Sequence, residues 1–448
     1  MSAGQQDEAV GVPQAGFAGT GWGLLAIAAL CGALATLFLV QAQRLTPDWG
    51  FPLDDSWIHL RFAANLADGH GFAFNKGEPT PGSTAPLWTL LLALVLKVTG
   101  GVCFPTYVAG VAFHVATCVM AFKLSELVGA ARDRATWVAV FTAASATFTW
   151  SALSGLEVTF FTFLSLAGIY YHIRHGDAGS VRTLIAPALF GLAALARPEG
   201  VALFAFALFD DLLRFRRRAG TSLVTVCRRF GGKIAVFGLI VAPWVVFCLQ
   251  TTGRPLPNTF YAKTAGEAQL LSLHHFKIVL RLLILDHPGL VILWPFGVAS
   301  LVMSEFSQKA RRPRLLPLYW AFGLPLAYTL MPYNQFTMTG GNLGRYFYPV
   351  LPLFVLFGVH GAFFLFDSLA TRYLGLNARW ALLLRRIALV TCVVLSLAHE
   401  LEWSAVYAWN VKNVNEIDAA MGRWLAANTP PEAVVAANDI GAIAFLSD

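Results

Sequence analysis

Residues 22–41 read WGLLAIAALCGALATLFLVQ, an apolar run without one charged side chain. About 20 such residues, rising 1.5 Å each in a helix, match the roughly 30 Å hydrocarbon core of a bilayer. No basic region precedes the run, so it reads as a signal-anchor or first spanning helix, not a cleaved leader. Residues 1–21 are mostly small and polar, without pattern, and are expected to form a disordered cytoplasmic tail.

Further apolar runs follow near 105–124, 135–151, 156–173, 183–197, 198–213, 234–251, 288–303, 315–332, 348–367 and 387–405. The whole chain is 57% hydrophobic and 13% charged, where a soluble chain carries about a quarter charged residues. The expected fold class is an all-α polytopic membrane protein, with about 10–12 transmembrane helices inside residues 22–405. Pro86–Val98 is shorter and suits a re-entrant or interfacial helix. If it does not cross, about 20 of the 32 basic residues fall in short cytoplasmic links, as the positive-inside rule requires. That distribution also accounts for the net charge of +7 without a nucleic-acid partner. The longer loops then share the outer face, with a large first loop at 44–104.

Residues 406–448 read as the start of an outer soluble domain. An amphipathic helix, a Pro430-Pro431 turn and a short strand at Ala433–Ala437 lead into Asn438-Asp439-Ile440-Gly441-Ala442. One helix and one strand cannot bury a core, so a small α/β domain cut off part-way is expected. The six cysteines show no paired spacing, and most lie in apolar runs, where a thiol acts as a small hydrophobe.

The polar residues of the outer loops are the candidates for chemistry. Asp54 and Asp55 open a helical stretch that ends near Gly69, and either cap it or supply a carboxylate pair with one general base. Asp55 and His59 are four apart and share a helix face; Arg61 follows. His59 is a metal ligand or, more simply, a hydrogen-bond partner. His70, Asn75 and Glu78 sit in a Gly- and Pro-rich loop and are either polyol contacts or ordinary loop polarity. Glu157 lies at the mouth of an apolar helix pair, and Arg197 and Glu199 flank Pro198 between two apolar runs. Ionisable groups so placed need partners or a polar cavity. Asn258, Tyr261 and Lys263 come from one later loop; Asn342, Arg345 and Tyr346 come from the next. An arginine among aromatics at a membrane interface suits a lipid phosphate. No ligand spacing supports a metal, and no cofactor is expected.

The run LDDSWIHLRFAANLADGHGFAFNKGEPTPGSTAPLW (53–88) resembles the GT-C class of membrane glycosyltransferases, and within it the bacterial branch that includes the actinobacterial terminal arabinofuranosyltransferases. The segments SGLE, RPEG, LPNTFYAK and GRYFYPVLP resemble later stretches of that branch in the same order, and NDIGA resembles the opening of its outer domain. The resemblance implies a GT-C-like fold in a bacterial inner membrane with a periplasmic active face. It also implies a polyprenyl-phosphate sugar donor and a glycan, lipid or protein acceptor of the cell envelope. Asp54 would take the acceptor proton, and Arg345, Lys263 and Arg197 would meet the phosphate charge. A transporter or flippase of a lipid-linked sugar is the alternative; it predicts internal repeats and mid-membrane charges, whereas here the ionisable residues gather at one face.

Overall fold

The computed structural model describes residues 21–129, 131–176, 181–216, 223–264, 273–307, 315–329, 344–430 and 433–447. The expected disordered tail at 1–21 therefore lies, but for its last residue, outside the described residues.

The apolar runs become helices, and no sheet joins them among the described residues. The chain opens with α1 (Gly21–Leu45), α2 (Asp54–Ala67), α3 (Pro86–Thr99) and α4 (Cys103–Leu127). It continues through α5 (Arg132–Ala143), α6 (Ala146–Leu153), α7 (Val158–His175), α8 (Ile185–Ala196), α9 (Glu199–Arg216) and α10 (Leu223–Thr252). A short α11 (Asn258–Thr264) precedes α12 (Leu273–Asp286), α13 (Leu290–Ser307) and α14 (Leu316–Thr329). The last part holds α15 (Leu351–Phe363), α16 (Thr371–Tyr373), α17 (Ala378–Val414), α18 (Ala420–Asn428) and α19 (Gly441–Leu446).

Five helices among the described residues are singly long and apolar enough to cross a bilayer, and the number rises to seven if each sharply bent pair is one crossing. Helix α3, with 14 residues, is about 21 Å long at the helical rise and falls short of a bilayer core. The apolar run at 135–151 is not one helix. It breaks at Ser145, which caps α6 by accepting a hydrogen bond from the Phe148 amide.

The next break positions the site. Helices α6 and α7 meet at 117° through the turn Ser154-Gly155-Leu156-Glu157. Gly155 has φ +77°, and a Cβ there would stand 2.7 Å from the Phe51 ring, so only glycine turns the chain here. Trp88 Nε1 donates to the Gly155 carbonyl at 2.9 Å, and the Ser56 hydroxyl donates to the Ser154 carbonyl. These contacts lock the turn against α2 and α3. Helix α1 packs on α17 and α4, and one apolar core, with Phe38, Trp88, Trp150, Trp320 and Tyr407 fully buried, runs through the bundle.

The tail departs from expectation. Ala433–Ala437 forms no strand, because no neighbouring strand offers a ladder to it among the described residues. In its place the chain folds into α19, which docks on α2 with the Phe445 ring 5.2 Å from that of Trp57.

Candidate functional site

The two acids that open α2 point different ways. Neither caps that helix: its N-cap is Leu53, with no side-chain hydrogen bond. Asp54 turns toward the tail, where its two carboxylate oxygens accept from the amides of Gly441 and Ala442, both at 2.7 Å. Burial nevertheless holds the Asp54 carboxyl above the usual carboxylate range, opposed by those two amides and reinforced by Asp439 and Asp55. Asp55, with its side chain 48% exposed, pairs with Arg345, whose side chain is 11% exposed.

Asp55, Ile58 and His59, one helical face of α2, line a cavity of about 510 Å³. Its other walls come from Ser83 and Thr84, the α6–α7 turn, the α8–α9 turn, α11, α14 and the start of the 344–350 segment. Across it runs a continuous polar network. His59 Nδ1 lies 3.2 Å from the Ser83 hydroxyl, and its Nε2 lies 3.5 Å from Glu157. Glu157 is the N-cap residue of α7 but makes no cap bond; its carboxylate accepts instead from Arg197 Nη1 at 2.8 Å. Arg197 also donates to Glu199 through Nε at 3.1 Å and Nη2 at 2.6 Å, and the Tyr328 hydroxyl donates to that same Glu199 oxygen. The Tyr346 ring sits between the two guanidiniums, 5.2 Å from Arg197 and 5.4 Å from Arg345. One arginine thus offsets two buried carboxylates, while the other holds the cavity-facing aspartate.

Arg345 is the informative member. One amine is paired with Asp55, while its Nη1 is buried with no hydrogen-bond partner among the described residues. A buried guanidinium N–H without an acceptor is expensive, and the oxygen of an anion in the cavity would satisfy it.

Seven residues anticipated from sequence therefore meet in one place: Asp55, His59, Glu157, Arg197, Glu199, Arg345 and Tyr346. Others lie elsewhere. Arg61 donates to the Phe74 carbonyl at 2.9 Å and, with Asn65, ties the 70–80 loop to α2. His70, Asn75 and Glu78 are exposed, with Asn75 bonded to Glu78 at 3.1 Å. Asn258 is exposed on α11, and Tyr261 packs under Arg254 with a ring distance of 5.0 Å; neither lines the cavity. Asn342 and the side chain of Lys263 lie outside the described residues. Sequence reading missed Ser83 and Tyr328. Tyr328 sits within an apolar helix, where a hydroxyl must find a partner, and that was the available signal.

Gly441 is held to its identity by Asp54. A Cβ at this position would lie 2.3 Å from the Asp54 carbonyl oxygen and 2.8 Å from each carboxylate oxygen. Gly441→Ala is expected to undock α19 from α2. Hydrogen exchange checks this: losing charge-assisted bonds of about 1.5–3 kcal/mol each should speed exchange at residues 441 and 442 by roughly tenfold or more. Unchanged protection would place the tail's hold on α2 elsewhere.

Comparison with known proteins bears on this architecture. A family model described as a domain of unknown function (DUF8728) matches residues 405–448. No curated protein matches the sequence. Among solved structures, ArnT from Cupriavidus metallidurans bound to undecaprenyl phosphate is similar with a TM-score of 0.64 at 14% identity, over 96% of this chain and 85% of ArnT. The Archaeoglobus fulgidus oligosaccharyltransferase in its apo form is similar with a TM-score of 0.62 at 12% identity, over 92% of this chain and 59% of that one. AglB from the same organism, in complex with an inhibitory peptide and a dolichol-phosphate, gives a TM-score of 0.62 at 10% identity over the same shares. The chain has a polytopic, GT-C-like membrane fold. Relative to the two archaeal structures, it spans 59% of their length.

Proposed function

We propose that this protein is a membrane glycosyltransferase. It would move a sugar from a polyprenyl-phosphate donor to a hydroxyl of a cell-envelope glycan, lipid or protein, on the outer face of a bacterial cytoplasmic membrane. The observation that carries the proposal is Arg345, paired with a cavity-facing carboxylate through one amine and left with an unmet buried donor on another. The similar ArnT and AglB structures hold undecaprenyl phosphate and dolichol-phosphate respectively, which supports the donor class. An apolar depression of about 670 Å³ between α9 and α14 shares Ala205 with the cavity and offers a path for a polyprenyl chain.

Asp55, and not Asp54, would be the general base, because Asp55 faces the cavity while both Asp54 oxygens are held by the tail. Donor phosphate would compete with Asp55 for Arg345, and its arrival would release the carboxylate. The acceptor hydroxyl then gives its proton to Asp55, and its oxygen bonds to the anomeric carbon. The bond from that carbon to the phosphate oxygen breaks, and its electron pair leaves with the polyprenyl phosphate. The charge developing there is met by Arg345, with Arg197 behind the Tyr346 ring, in a site where low dielectric strengthens the attraction.

The test is a panel of radiolabelled polyprenyl-phosphate sugars, with binding and turnover followed separately. Arg345→Gln is expected to weaken donor binding by about ten- to a hundredfold, the worth of one charge-assisted contact. Lipid moving between leaflets of vesicles with no sugar transferred would make the protein a flippase.

A further inference from the structure

Away from this cavity, the helix bundle encloses a second set of reactive side chains that the proposed reaction does not use. Cys31 stands near the middle of α1. His114 and Cys118 stand four residues apart on one face of α4. All three are fully buried, and their donor atoms lie within 4.8 Å of one another. We propose that Cys31, His114 and Cys118 bind a zinc ion through three protein donors, leaving its fourth position open, and so fasten α1 to α4.

The histidine supplies the first argument. Its Nε2 lies 3.0 Å from the Thr142 carbonyl oxygen. A carbonyl only accepts, so Nε2 donates to it, and in the neutral ring Nδ1 is the nitrogen left to ligate a metal. Metal-bound histidines show this arrangement, with the second ring nitrogen donating to a carbonyl that fixes tautomer and orientation.

The second argument is spacing. Zinc at about 2.3 Å from sulfur and about 2.0 Å from nitrogen, in a tetrahedral shell, needs donors roughly 3.5–3.8 Å apart. The observed 4.8 Å limit requires only a small closure of side-chain torsions. Charge is the third. Two thiolates neutralise one divalent cation, so a Cys₂His set carries zinc into the bilayer interior with no net charge, whereas a monovalent ion would leave it anionic. Glu400 is fully buried and within electrostatic reach of His114, and its Oε2 has no hydrogen-bond partner among the described residues.

Such a site is invisible to spacing along the chain, since Cys31 and Cys118 come from different helices. Its consequence is mechanical: α1 is the first helix, and around Cys31 it meets α4 and α5 in a small cluster separate from the main core.

The experiment uses the full chain, purified in detergent after removal of any affinity tag, with bound metal measured by mass spectrometry. About one zinc per chain is expected in the wild type, falling at least roughly tenfold in Cys31→Ser/Cys118→Ser. Cobalt substitution of the wild type, which needs no variant to fold, is expected to give thiolate-to-cobalt charge-transfer bands. The proposal is overturned by wild-type protein free of metal with both thiols titratable, or by a Cys31–Cys118 disulfide that reduction opens. Copper in place of zinc, or cobalt bound without thiolate bands, would also overturn it. None of these readouts depends on glycosyl transfer, so the site and the proposed activity fail separately.

Discussion

Asp55→Asn is expected to reduce sugar transfer by about 10²- to 10⁴-fold, the range a general base contributes, while donor binding is retained or strengthened. Asparagine has nearly the shape of aspartate but cannot take the acceptor proton. It also cannot hold Arg345 as an ion pair, so the guanidinium is freed for phosphate. Turnover and affinity should therefore separate, with kcat falling and donor Kd unchanged or lower. Asp54→Asn should behave differently. It loosens the amides of Gly441 and Ala442 at a carboxylate that does not line the cavity, so its effect should be smaller and should appear as faster exchange of the tail. If Asp55→Asn loses donor binding together with turnover, Asp55 holds the donor and the base lies elsewhere. If Asp54→Asn is the more damaging of the two, the assignment made from sequence is restored.

The two aspartates of α2 show what a sequence can and cannot carry. Most helix positions were legible because a long apolar run announces a helix: 105–124 lies within α4, and 348–367 falls in the candidate span Tyr348–Tyr373, whereas 135–151 breaks at Ser145. The periodicity that put Asp55 and His59 on one face was legible for the same reason, since it is local. The target of Asp54 was not. Its partners are 387 and 388 residues away, and no local pattern announces a helix that arrives from the far end of the chain. Arg61, His70, Asn75 and Glu78 carry the residue types of a binding site, yet Arg61 holds a backbone carbonyl and the others face outward. Polar residues in an ordered loop satisfy that loop first.

Loss of Arg197 should destabilise the fold strongly. It is buried and shared by Glu157, in the α6–α7 turn, and Glu199, at the start of α9. Removing one partner of a buried ion pair leaves an uncompensated charge and costs about 3–5 kcal/mol; here two carboxylates lose their counter-ion at once. Arg197→Leu is therefore expected to lower the melting temperature sharply in detergent, or to leave little folded protein. Adding Glu157→Gln should recover part of the loss, because one of the stranded charges is gone, and the double variant separates electrostatics from simple loss of packing. Arg197→Lys keeps the charge but cannot reach Glu157 and Glu199 through the same planar fork, so it should fall between wild type and Arg197→Leu. A melting temperature unmoved by Arg197→Leu would mean that the two glutamates find water or other donors, and that the network is tuned for binding and not for holding the α6–α7 and α8–α9 turns together.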